Sequence, residues 1–207
     1  METFFKFPSK LGINKRCYDK DIRIEYMRHK FLPNKKYIVF NPFTSSRKLN
    51  YRQWNIKNYK SIIKYLLDNY NIDSVMVGGN SKHELAQSKF LDSEKRLYNL
   101  VGKTNLQELY NILKMCELYI GPDSGTLHIA SMLDKPIIGL YATSNPDRTG
   151  PIGNMEYVIN KYSDALKKYN NSEVKSVKWG TRVRNKKAMD LINIKDVTEK
   201  IDRILKF

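Results

Sequence analysis

Cysteine is almost missing from this chain of 207 residues: Cys17 and Cys116 are the whole supply. They lie about a hundred residues apart with no histidine or cysteine at metal-ligand spacing, so neither a zinc site nor a disulfide framework organises the fold. Two unpatterned thiols suit a reducing cytoplasm, and Cys116, beside an apolar run, reads as a small buried side chain. Long apolar runs are lacking too. None approaches the ~18 residues of a membrane-spanning helix, and the opening M-E-T-F-F-K-F-P has no basic segment followed by an apolar core, so no secretion signal is expected. Zinc-finger spacing, an aromatic RNA-binding signature and a DNA-reading helix are all absent, which argues against nucleic acid as a partner. Acidic side chains are scarce: 21 Asp and Glu stand against 37 Lys and Arg, a formal net charge of +16. Such a balance invites a phosphorylated substrate or an acidic membrane face, or it is a solvated lysine-rich surface. Hydrophobic residues make up 41% of the chain, as in folded proteins. The length suits one α/β domain with a full core and is short for two.

What is present is organised around residues 117–141, E-L-Y-I-G-P-D-S-G-T-L-H-I-A-S-M-L-D-K-P-I-I-G-L-Y. Leu118-Tyr119-Ile120 is an apolar run that meets a turn at Gly121-Pro122. Ile129, Ala130, Met132 and Leu133 follow at helical spacing, Pro136 stops that helix, and Ile137 to Tyr141 reads as the next strand. Asp123, Ser124, Gly125 and Thr126 therefore sit between the carboxyl end of a strand and the amino end of a helix. Small residues there let a ligand approach the backbone, and the unpaired amides of the first helical turn favour a phosphate or pyrophosphate. Asp-Ser-Gly before a helix is also ordinary capping chemistry.

The wording goes further than capping. D-S-G-T-L-H-I-A at 123–130, Lys135-Pro136, L-Y-A-T-S-N-P at 140–146 and G-P-I-G at 150–153 resemble the donor-site signature of the ADP-heptose:lipopolysaccharide heptosyltransferases. These are glycosyltransferases of the two-domain GT-B fold. The resemblance runs from about Tyr37 to the C-terminus and corresponds to the second, C-terminal domain of that family. It implies that Asp123 contacts hydroxyls of the donor sugar. Backbone amides of Gly125, Thr126 and Leu127, with Ser124 in the same turn, would hold the pyrophosphate. His128 would lie beside or behind the phosphates, or be a buried histidine that orders the loop. Thr44 and Ser45, with Ser46, would stand near the donor phosphates, where a simple Ser/Thr turn is the alternative. Arg52, in R-Q-W, takes the place of the family's lysine that reaches the pyrophosphate, with Arg47 and Lys48 as rivals. Tyr141-Ala142 replaces the family's aromatic-glycine pair, which points to a reshaped sugar pocket.

Elsewhere the pattern is regular. Tyr37-Ile38-Val39-Phe40 reads as a first strand buried on both faces. Residues 55–69 form an amphipathic helix with Ile56, Tyr59, Ile62, Ile63, Leu66 and Leu67 as its core stripe. Ser74 to Val77 is a second strand ending at Gly78-Gly79, where a nucleotide can come close. Ser81 and Glu84 fit a capping box; by resemblance Glu84 hydrogen-bonds the donor ribose. Leu97 to Val101 is a third strand. Thr104 and Gln107 suggest another capping box before a helix that buries Leu106, Leu109, Tyr110 and Leu113. Residues 154–160 hold an edge strand. Residues 161–187 are strongly basic, a solvated loop by default and a contact for anionic lipid as the alternative. Val197, Ile201, Ile204 and Leu205 mark a last helix, capped by Asn193.

The expected architecture is thus α/β: a Rossmann-like, mostly parallel sheet with helices on both faces, one half of a GT-B fold. Residues 1–36 are expected to be a basic segment outside that domain, and residues 37–207 the nucleotide-sugar-binding domain. The implied function is transfer of heptose from ADP-heptose, or of another sugar from a nucleotide-diphosphate donor, to a lipopolysaccharide-core or related acceptor. No cofactor and no metal are called for. Asp19, Asp21 and Glu25 make no convincing catalytic base, so the base is unassigned. A separately encoded N-terminal domain would supply it, and the alternative is a non-catalytic binding module or an inactive remnant. The expected location is the cytoplasm, peripheral to the inner membrane.

Overall fold

The computed structural model describes Lys10, Gly12, residues 28–45 and residues 50–206. The expectations on Cys17, Asp19, Asp21, Glu25, Ser46, Arg47 and Lys48 lie outside the described residues.

Six strands form one fully parallel sheet: β1 (Tyr37–Phe40), β2 (Asp73–Met76), β3 (Leu97–Asn99), β4 (Leu118–Pro122), β5 (Ile137–Tyr141) and β6 (Ile159–Asn160), in the order β3-β2-β1-β4-β5-β6. Their apolar runs work because both faces are covered, and period-two alternation sends successive residues into separate cores. Ile38, Phe40, Leu118, Ile120, Ile138 and Leu140 pack on one face, where α1 (Ile56–Tyr70), α6 (Tyr162–Asn170) and α7 (Ile194–Leu205) lie. Tyr37, Val39, Tyr119, Ile137 and Tyr141 pack on the other, under α3 (Leu106–Met115) and α4 (Gly125–Met132). Two shorter helices among the described residues are α2 (Lys82–Ser88) and α5 (Pro146–Thr149). The architecture is the Rossmann-like one expected.

Helix ends follow local chemistry. The Asn55 side chain accepts from the Lys57 amide, and Asn71 closes α1 in the left-handed region at φ 53°. Asn193 and Asp196 form a reciprocal capping box at α7. Cys116 is buried, and desolvation pushes its thiol up to about 12. His83 is exposed.

Several expectations are corrected. The cap of α3 is Asn105 with Glu108, not Thr104 with Gln107. The one-residue shift turns Leu106 outward, 69% exposed, while Tyr110 and Leu113 stay inside. Met132, placed on the apolar face of α4, is also exposed. Residues 161–187 are not a plain solvated loop. They begin with α6, whose Tyr162, Ala165 and Leu166 are buried at helical spacing. The second strand starts one residue earlier, at Asp73, and the third is shorter, ending at Asn99. The division at residue 37 is not among these corrections; ahead of β1, His29 is buried and its Nε2 lies 3.2 Å from the Lys103 carbonyl oxygen.

Candidate functional site

In a parallel sheet the loops leave a crevice where the strand order reverses. Here that point lies between β1 and β4, and a cleft of about 350 Å³ opens past their carboxyl ends. One side is formed by Thr44 and Ser45 after β1 and by Ser124, Gly125 and Thr126 after β4. The opposite side is formed by Gly78 and Gly79 after β2, by Glu84 on α2, and by Leu106 and Leu109 on α3. The volume lies within the lower part of the usual range for small-molecule sites.

The turn into α4 is built to leave its first amides available. Ser124 is the N-cap, and its Oγ accepts from the Leu127 amide at 3.4 Å. Tyr119 holds that hydroxyl in place, with its Oη 3.3 Å from Ser124 Oγ. A Cβ at Gly121 would stand 2.6 Å from the Tyr119 hydroxyl oxygen, so glycine there admits the phenol. The amides of Gly125 and Thr126 make no hydrogen bond among the described residues, as expected for the first helical positions. A Cβ added at Gly125 would meet nothing within 4 Å, so no packing requires glycine there. Asn41 ties the loop after β1 to the turn after β4, its Nδ2 donating to Thr126 Oγ1 at 2.8 Å.

Behind this turn lies a polar knot centred on Asp123, only 4% exposed. Ser144 Oγ and Thr149 Oγ1 donate to its Oδ2 at 2.9 and 3.2 Å. Arg52 Nη1 donates to the Asp123 carbonyl oxygen at 2.8 Å and stands 3.4 Å from Oδ2. His128 Nε2 is 3.7 Å from Oδ1. Burial alone would raise this carboxyl, but the nearby His128, the hydrogen bond from Ser144 and the charge of Arg52 outweigh it. The group sits below the ordinary aspartate value. Arg52 is itself held by Asn50, whose Oδ1 accepts from its Nε at 2.8 Å, and the nearby Trp54 is buried and donates to the Ile192 carbonyl oxygen at 3.0 Å.

The structure thus brings Thr44, Ser45, Gly78, Glu84, Ser124, Gly125 and Thr126 to one cleft. It places Arg52, Asp123 and His128 beside that cleft, as a knot supporting the turn. Leu127 stands apart: its side chain is in the core and its amide is taken by Ser124. His128 is not the buried histidine considered above, its side chain being 41% exposed. Gly78 has a packing reason of its own, since a Cβ there would lie 2.6 Å from the Phe43 ring. At Glu84 only half of the expected capping box forms: Ser81 Oγ accepts from its amide at 3.2 Å. The carboxylate turns to the cleft instead, and a Cβ on Gly79 would come within 2.6 Å of Oε2. Asn41, Ser144 and Thr149 were not singled out from sequence, and Leu106 was read only as a buried residue of its helix. Of these, only Ser144 had a visible signal, through its place in L-Y-A-T-S-N-P.

Among the described residues no group of three or more His, Cys, Asp or Glu is placed to hold a metal ion. No helix of the described residues is long and apolar enough to cross a membrane.

Comparison with known proteins gives this geometry a context. The lipopolysaccharide core heptosyltransferase OpsX of Haemophilus influenzae is 26% identical over 211 residues, covering 99% of this chain and 60% of that protein. The fold is similar to that of E. coli ADP-heptose lps heptosyltransferase II, with TM-score 0.63 and 22% identity over 86% of this chain and 48% of that one. It is also similar to that of E. coli heptosyltransferase WaaC with ADP, with TM-score 0.59 and 16% identity over 84% of this chain and 46% of that one. The chain therefore spans between about half and 60% of the length of these proteins. The sequence description of Glycosyltransferase family 9 (heptosyltransferase) matches residues 8–178, reaching upstream of Tyr37, where the quoted motifs begin. A parallel sheet, a crevice at its reversal point and a sequence match over most of its length together mean that this chain belongs to glycosyltransferase family 9, the heptosyltransferase family.

Proposed function

We propose that this chain is the nucleotide-sugar-binding half of a heptosyltransferase, taking heptose from ADP-heptose for a lipopolysaccharide-core or related glycan acceptor. The observation that carries the reading is the turn into α4. It presents to an open cleft two amides that have no hydrogen-bond partner among the described residues, one of them on a glycine that no packing demands. A diphosphate there would be held by the helix amides, which also stabilise the charge that develops on the leaving nucleotide. The nucleoside would lie between Gly78 and Leu106, with Glu84 toward the ribose. Asp123 would meet the sugar from its knot, with Arg52 as the supporting cation. A proton acceptor for the acceptor hydroxyl is assigned to no described residue, because Asp123 is engaged and depressed. We assign that role to a partner domain of the kind that fills the remaining length of the relatives. Work at the cytoplasmic face of the membrane that carries the acceptor fits the same reading.

A non-catalytic binding module is the second reading, favoured by the engagement of Asp123 with Ser144, Thr149 and Arg52, which leaves the proton acceptor unassigned among the described residues. Calorimetric titration with ADP, alongside a transfer assay with ADP-heptose, separates the two. Transfer supports the enzyme, and ADP binding without transfer supports the module. Failure of ADP to bind removes both.

A further inference from the structure

The donor cleft leaves one group of charges unexplained. Residues 181–184 run as an extended strap past the carboxyl end of β5. The Val183 amide donates to the Thr143 carbonyl oxygen at 2.9 Å, and Tyr162 Oη donates to that of Thr181 at 2.7 Å. Val183 is buried while Arg182 and Arg184 are exposed, so the alternation of an extended segment puts both arginines on its outer side. Arg148 on α5 joins them: a Cβ on Gly180 would lie 3.9 Å from its Cζ. The next residue, Thr149, donates to Asp123, whose other partner is Arg52.

The charges of Arg52, Arg148, Arg184 and Asp123 all reach Arg182, and Asp123 is already held by Arg52. Arg148, Arg182 and Arg184 make no ion pair or hydrogen bond with an acidic side chain among the described residues. Although exposed, Arg182 sits below the usual arginine value because it loses part of its hydration and because Arg52, Arg148 and Arg184 oppose its charge; Asp123 acts the other way. Crowded like charge is unfavourable in the free protein and is relieved by an anion. Forked donors carried by two neighbouring segments suit a phosphate or carboxylate. None of the three lines the donor cleft, so the α4 amides and this cluster are separate.

We propose that Arg148, Arg182 and Arg184 form a second anion subsite beside the donor turn, which takes a phosphate or carboxylate group borne by the acceptor. The assignment to the acceptor rests on the donor reading above; the anion site itself does not.

The test is calorimetry on the whole chain, with ADP first and then inorganic phosphate added at saturating ADP. Phosphate is expected to bind alongside ADP. R148Q/R182Q should weaken it by about tenfold or more, with ADP affinity within roughly twofold. R182K, which keeps the charge, should recover part of the loss. K167Q/K168Q removes equal charge from the exposed face of α6 and should change neither ligand. Loss of ADP binding with arginine-dependent phosphate binding intact would remove the donor reading and leave the subsite standing. Phosphate displaced by ADP, weakened equally by the α6 variant, or indifferent to R148Q/R182Q would overturn the subsite. A parallel arm uses vesicles of phosphatidylglycerol and phosphatidylcholine in equal parts. Vesicle binding that needs Arg148 and Arg182, when phosphate binding does not, would assign the arginines to a membrane surface and overturn it as well.

Discussion

Two arginine–aspartate pairs stand at opposite ends of the same sheet. Asp73 opens β2 and is 3% exposed; Asp123 follows β4 and is 4% exposed. Arg96, in the left-handed region at φ 57°, pairs with Asp73 and also bonds the Asn71 side chain and, at 2.9 Å, its carbonyl oxygen. That set is closed, since it joins the end of α1 to the start of two strands. Asp123 also holds its own surroundings, through Ser144, Thr149 and Arg52, but an open cleft lies on one side and three further arginines on the other. Nearly the same pair of side chains locks a turn at one end and holds a binding loop at the other. The ion pair itself carries no functional meaning; the unused donors around it do.

The largest expected effect tests that contrast directly. Asp73→Ala and Asp123→Ala each leave an arginine without its partner in a mostly buried place. Each should cost about 3 kcal/mol in urea unfolding. Only Asp123→Ala should also weaken ADP, by about tenfold, because the turn carrying Gly125 loses its anchor. Equal loss of ADP affinity in both variants would break the comparison.

Glycines divide the same way. Gly78→Ala forces a methyl to 2.6 Å from the Phe43 ring and should cost about 1–3 kcal/mol. Gly125→Val enters open space, so stability should stay within about 0.5 kcal/mol while ADP affinity falls roughly tenfold. A marked drop in thermal midpoint for Gly125→Val, with ADP binding intact, would make Gly125 a structural residue.

Acid titration sharpens the account of Asp123. Its folded value lies below the unfolded one, so the carboxylate contributes stability that is fully present above the ordinary aspartate value near ~4 and is lost as pH falls through the folded value. Asp202 is depressed in the same direction by hydrogen bonds from Tyr65 and Tyr70. The wild-type curve therefore contains both contributions, and subtracting the Asp123→Asn curve isolates the first. Stability that differs by a constant amount at every pH would show that Asp123 is not held as an anion.

How much of this was legible in the sequence depends on how local the cause was. The strands at Tyr37, Leu118 and Ile137 read directly as apolar runs, because both faces of the sheet are covered. The cap of α3 was ambiguous by one residue, since Thr104 and Asn105 both cap well and both have Glu or Gln three positions on. Tertiary packing decides it, by drawing Tyr110 and Leu113 inward. In α6 the lysines of a basic stretch hid Tyr162, Ala165 and Leu166, although their spacing was helical. The turn at Asp123 was visible because its chemistry is contiguous. The bridge from Asn41 to Thr126 spans 85 residues of sequence, and the arginines at 52, 148 and 182 meet only through the fold. No local pattern announces either.

The smallest expected effect separates two roles within one short element. Ser81 Oγ accepts from the Glu84 amide at 3.2 Å, while the Glu84 carboxylate faces the cleft without completing the box. Ser81→Ala should therefore cost about 1 kcal/mol of stability and leave ADP affinity unchanged. Glu84→Gln keeps the backbone donor and the side-chain volume, so stability should hold. If the carboxylate accepts from ribose hydroxyls, replacing a charged acceptor by a neutral one should weaken ADP by roughly threefold to tenfold. The effect should vanish when inorganic pyrophosphate replaces ADP, because that ligand has no ribose. An equal loss for both ligands would mean that Glu84 acts through the shape of the cleft, and unchanged ADP affinity would leave it a surface carboxylate of α2.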